Sequence, residues 1–190
     1  MMKKFLVLFL VLLTVAVLGL SQRINITGDI GYTVGIKTDI TQDSSPVATN
    51  VSLSLVEGGV TFSYEVVEDF AIGARVGFAY APIEATDIQL IYDSASATTF
   101  MPLDIMVVAS YKYAFDGFGI GVTAGGGLST PDFFSHFGWV VKTTIGGFYS
   151  FGNFRVTLGA GIEMRNYSVG EGRTLNFIGV PISLEFNYSF

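Results

Sequence analysis

The chain contains no cysteine and one histidine. Without thiols there is no disulfide scaffold and no thiolate metal site. The spacing of its acids does not match a calcium loop either. Charge is scarce, at 14% of residues against roughly 25% in an ordinary soluble domain. Bases number ten against sixteen acids, a balance that sets nucleic acid aside as a partner. Beyond the first twenty residues no apolar run is long enough to cross a bilayer as a helix.

What is present is apolar and small. Half the residues are hydrophobic, with 17 Phe, 9 Tyr and 23 Gly. That mixture suits strands in apolar surroundings and argues against disorder. The start, "MMKKFLVLFLVLLTVAVLGLSQR", has a basic Lys3–Lys4 region, an apolar stretch from Phe5 to Leu18, and small residues at Gly19 and Ser21. This pattern predicts a secretory signal peptide over 1–21, cut after Ser21, and a single domain over 22–190.

From residue 24 onward the apolar residues recur with a period of two. The alternation predicts eight strands, near 24–38, 50–66, 70–81, 100–115, 118–129, 137–151, 154–167 and 174–190. The phase slips at "VEGGV" and again near Ile178 and Gly179, before Pro181, so bulges are expected at Gly58–Gly59 and at Gly179. Three connections have hairpin chemistry: Glu68–Asp69, Asp116–Gly117 and Gly152–Asn153. Four longer ones fall at 39–49, 82–99, 130–136 and 168–173. Within the longest, Ile88 to Tyr92 looks strand-like. Short turns on one side, long loops on the other and an even strand count describe an all-β, eight-stranded antiparallel up-and-down transmembrane β-barrel.

Alternation alone does not say which face meets lipid, because a secreted ligand-binding barrel also closes with eight strands. Size decides. One face carries Phe, Tyr, Leu, Ile and the single Trp, whereas the other is mostly Gly, Ser, Thr and Ala. Eight strands enclose barely enough room for side chains, so the bulky face points out and the small one in. The inward set also carries Asp29, Glu65, Asp104, Glu163 and Glu185 with Lys37, Arg75, Lys112, Lys142, Arg155 and Arg165. Five acids against six bases is nearly neutral, as paired buried charges require. Aromatics at the strand ends, among them Phe78, Tyr80, Phe100, Phe137, Trp139 and Phe177 on the loop side, are expected to face the membrane interfaces.

The chain closes on "VPISLEFNYSF". Ile182, Leu184, Phe186, Tyr188 and a terminal Phe190 resemble the carboxy-terminal assembly signal of bacterial outer-membrane barrels. That resemblance implies recognition by the barrel assembly machinery and a place in the bacterial outer membrane after export. Residues 22–190 as a whole resemble the small OmpA/OmpX-type barrels in strand count and loop asymmetry.

No cofactor, metal ligand set or catalytic group stands out. His136, in "PDFFSHFGW" beside Ser135 and Asp132, is the one candidate for chemistry, and one loop tip rarely supplies a whole triad. The glycines of "TAGGGLST" sit inside a strand and lack the Lys-Ser/Thr that grips phosphate. Acids crowd the long loops, at Asp39, Asp43, Glu84, Asp87, Asp93, Asp132 and Glu171. The expected role is structural: an integral membrane protein embedded in outer-membrane lipids, with its outer loops open to a protein partner. A narrow pore or hydrophobic-compound conduit is the alternative, and a lipid-modifying enzyme the third reading.

Overall fold

The computed structural model describes residues 23–49, 51–82, 89, 91–92, 99–132, 136–170 and 172–190. The signal-peptide reading of 1–21 lies outside them.

Among the described residues nine strands form one closed antiparallel sheet. They are β1 (Ile24–Gln42), β2 (Ser45–Thr49), β3 (Ser54–Val67), β4 (Phe70–Tyr80), β5 (Leu103–Phe115), β6 (Phe118–Thr130), β7 (Phe137–Phe151), β8 (Phe154–Gly170) and β9 (Arg173–Ser189). β2 and β3 pair with the same edge of β1, at its outer and inner ends, so they are one wall strand with a break. The barrel therefore has eight walls. β1 closes on β9 from Asn25↔Ser189 to Gln42↔Arg173, and the Phe190 amide donates to Ile24 at 2.9 Å. No sheet edge is left along the spanning height, which a lipid-facing sheet requires.

The bulky face is outside. Phe62, Val76, Ile105 and Leu158 are 58%, 55%, 53% and 63% exposed, whereas Arg75 is 8% exposed. At the turn end Phe118, Tyr149, Phe151, Phe154, Tyr188 and Phe190 touch ring to ring around the outside. At the other end Phe78, Tyr80, Phe137 and Trp139 face outward. Trp139 and Tyr149 are ten residues apart on β7. At about 3.3 Å per residue and a tilt of about 40°, they bracket roughly 25 Å, the height of an outer-membrane apolar band.

Both predicted bulges fall elsewhere. Register runs unbroken through Gly58 and Gly59, and β9 keeps one phase through Gly179. The real breaks are a bulge at Ile36 in β1, opposite Gly179, a second at Val66, and the interruption between β2 and β3. Gly35 lets that interruption approach closely, since a Cβ there would lie 1.9 Å from the Leu53 carbonyl oxygen.

Two long loops are also shorter than expected. β1 continues to Gln42 and returns through Asp43–Ser44, both with positive φ. β8 and β9 likewise run on to Gly170 and from Arg173. In the 82–99 segment Gln89, Ile91 and Tyr92 are helical, not extended, while Ile88 lies outside the described residues.

Candidate functional site

Along the barrel interior the side chains fall into three tiers, each set by which inward positions the strands present at that height.

The outermost tier is apolar. Ile40, Leu53, Leu55, Ala79, Ala81, Ile91, Phe100, Tyr167, Val169, Leu175 and Phe177 form one buried cluster. Phe100 meets Tyr167 edge-on at 5.7 Å. Phe100 and Phe177 were expected in the outer girdle, and they point inward instead. The reason is an inversion of environment. Above Trp139 the outside of the barrel meets water, so Ser168, Asn166, Asn176 and Thr174 take the outer face. The interior there is filled by Ile91 and Phe100, so the inner face becomes apolar. The strand's phase is constant while its chemistry flips, and that flip mimics a bulge in the sequence. Tyr92, packed at the edge of this cluster, donates its hydroxyl to the Pro131 carbonyl at 3.1 Å. Burial, then Asp132, push that phenol above its usual range, so it stays a neutral donor.

The middle tier is ionic. Arg165 is fully enclosed and donates to both Asp104 oxygens at 2.9 and 2.8 Å, to Glu163, to Glu57 at 3.3 Å and to the Tyr167 hydroxyl at 2.9 Å. Lys142 reaches Glu57, and Glu163 at 3.2 Å. Thr33 donates to Glu57 at 3.0 Å, and Ser129 to Asp104 at 2.5 Å. Below them Arg75 grips both oxygens of Asp29, at 3.1 and 2.6 Å. Gly59 and Gly77 make room for it, because a Cβ at either would lie 2.6 or 2.2 Å from a guanidinium nitrogen. Buried charge this dense is tolerable only when each group is paired and hydrogen-bonded.

The third tier, at the turn end, is a polar cup of about 130 Å³. Its floor is the Arg75 and Lys142 layer, and its rim includes Asp69 and Tyr111. Lys112 pairs with Glu65 at 3.2 Å. Arg155 reaches the Ser150 hydroxyl at 3.4 Å and lies 4.9 Å over the Phe148 ring. Glu185 lines the same space.

The structure thus brings Asp104, Lys142, Glu163 and Arg165 into one network, pairs Asp29 with Arg75 and Glu65 with Lys112, and sets Arg155 and Glu185 on the cup. Lys37 is not in the lumen. The Ile36 bulge turns it outward, where its side chain is 57% exposed and pairs with Asp39 at 2.9 Å. Glu57 was missed, and it is central to the ionic tier. Its inward phase was hidden by the bulge expected at Gly58. Over the spanning height the lumen therefore holds six acids and five bases: Asp29, Glu57, Glu65, Asp104, Glu163 and Glu185 against Arg75, Lys112, Lys142, Arg155 and Arg165. Ile182, Leu184, Phe186 and Tyr188 share the outward face of β9.

His136 bonds Asp132 through its Nδ1 and its backbone amide, and its ring lies 5.6 Å from Tyr92. Ser135 lies outside the described residues. Among the described residues no three His, Asp or Glu converge as a metal site.

No protein-family model matches the sequence, and no curated protein does. Solved structures do resemble it. Neisserial surface protein A (NspA) aligns with a TM-score of 0.56 at 11% identity, over 88% of this chain and 97% of its own. The outer membrane protein OprG from Pseudomonas aeruginosa aligns at 0.52 and 11%, over 88% and 95%. The outer membrane enzyme PagL aligns at only 0.44 and 12%, over 86% and 98%. The fold is that of the small eight-stranded outer-membrane barrels of the OmpA/OmpX type.

Proposed function

We propose that this is an outer-membrane barrel with a sealed lumen, whose work is done at its outer end as a structural or surface-interaction protein. One observation carries the reading: the interior is closed by an apolar plug stacked on an ion-paired layer. With Arg165, Lys142 and Arg75 each committed to carboxylates, no free polar file runs the length of the barrel among the described residues. The outer wall is uneven. β1, β8 and β9, at 19, 17 and 17 residues, outreach β4, β5 and β6 at 11, 13 and 13. They lift a polar outer face, with β2 beside it, clear of the membrane. That raised wall is the surface a protein partner would meet. The outward Ile182-to-Phe190 row serves recognition by the barrel assembly machinery, and export delivers the chain to the outer membrane.

Planar-bilayer conductance tests the seal. The refolded protein is expected to give no single-channel steps. Steps that change in Arg75→Ala or Glu163→Gln would defeat the sealed reading in favour of a narrow pore. The enzyme reading has the His136–Asp132 pair as its sole support. Outer-leaflet lipids compared by mass spectrometry with protein, without it and with His136→Ala are expected to be identical.

A further inference from the structure

The cup at the turn end contains two charges that the rest of the lumen does not neutralise. Glu185 sits directly across from Asp29 in the β1–β9 register, a like-charge juxtaposition that costs stability unless something intervenes. Asp29 is satisfied by Arg75 at two oxygens, but among the described residues Glu185 has no hydrogen bond and no ion pair. Arg155 is the converse case. Its neighbours are the Ser150 hydroxyl and the face of Phe148, with no carboxylate within ion-pair distance among the described residues. One inward position beyond Glu185 on β9, Ser183 is buried and lines the cup, and its hydroxyl has no partner among the described residues. Asp29, Glu57, Glu65, Asp104 and Glu163 are each paired with Arg75, Lys112, Lys142 or Arg165. An anion, a cation and a hydroxyl are thus all left open toward one cavity.

We infer that the cup is a binding site for a compact zwitterion, its ammonium on Glu185 and its acidic group on Arg155. Size fits this class. The cavity is about 130 Å³, and a cavity of about 150 Å³ takes one benzene, so the occupant has only a few heavy atoms. Spacing fits as well. Thr157 pairs with Glu185 and Arg155 with Asn187, which makes Arg155 and Glu185 diagonal neighbours about 7–8 Å apart, their Cβ atoms somewhat closer. A chain of a few carbons spans the two heads. The Phe148 ring beneath Arg155 keeps the guanidinium extended along the wall instead of folding onto Glu185. Because the ionic tier forms the floor, the site is a dead end reached from the turn side, and it binds without conducting. It stands apart from the proposed role of the outer end.

Isothermal titration calorimetry of the full refolded barrel in detergent tests the site with three probes: 4-aminobutyrate, butyrate and butylammonium. Saturable heat is expected for 4-aminobutyrate alone, weakened about tenfold or more by Glu185→Gln and by Arg155→Gln. Heat-modifiable mobility checks that each variant folds, and Glu185→Gln is expected to fold because it relieves the clash with Asp29. Should a variant not fold, probe selectivity on the wild-type protein decides. Equal binding of butylammonium or butyrate, binding indifferent to both variants, or no heat from 4-aminobutyrate at millimolar concentration would each overturn the assignment.

Discussion

Arg165 shows how much depends on one side chain. It is enclosed by three carboxylates, so Arg165→Leu leaves Asp104 buried with no cation and leaves Glu163 and Glu57 to share Lys142 alone. A loss of about 3–5 kcal/mol is expected, measurable as a lower urea midpoint for unfolding from detergent micelles. Lys37 is the contrast. It carries the same charge type in the same apparent phase, yet the Ile36 bulge puts it in solvent, so Lys37→Ala should change stability by no more than about 0.5 kcal/mol. Equal effects from Lys37→Ala and Lys142→Ala would mean that the bulge is misplaced. Gly59 belongs to this scale too. Gly59→Val places carbon where the Arg75 guanidinium lies, and should cost about 1–3 kcal/mol. The cost should shrink in an Arg75→Ser background, a coupling that a double-mutant cycle reads directly.

At the scale of the strand, most of the architecture was legible in the period-two pattern, because the two faces differ in bulk as well as polarity. Ten of the eleven charges assigned to the lumen do point inward. Lys37 failed because a bulge leaves no composition signal: nothing in "VGIKTDI" marks Ile36 as an extra residue. Glu57 failed for the opposite reason. Leu53 and Leu55 are apolar yet inward, so the alternation seemed to slip at Gly58 when the register did not. The same effect at Leu175 and Phe177 suggested a bulge in β9. In each case the assumption at fault was one environment along a whole strand. A strand that leaves the bilayer exchanges lipid outside for water, and its faces exchange chemistry with it. Asn166 and Asn176, polar in the lipid phase of their strands, were the available sign. The turn Asp43–Ser44 was missed because it has no glycine. Asp tolerates a positive φ through its short polar side chain, and Ser44 follows it at φ 67°.

For the molecule as a whole, the aromatic belts fix its height in the membrane. Trp139 is the single tryptophan, outward-facing at the outer interface, so it reports that height without labelling. In vesicles its emission should be quenched more by lipids brominated near the headgroup than by lipids brominated at the chain ends. The reverse order would place the barrel wrongly. The closed sheet should also stay folded in cold detergent, so that boiled and unboiled samples migrate differently in gel electrophoresis. Mobility indifferent to heating would contradict the closed barrel.

The seam between β1 and β9 joins the strands farthest apart in the chain. Until a ribosome has finished the last strand, the first has only one of its two neighbours, and the ring cannot shut. Every intermediate up to that moment carries a bare strand edge and a greasy outer face. Folding is therefore decided by a closure event that brings β9 onto β1.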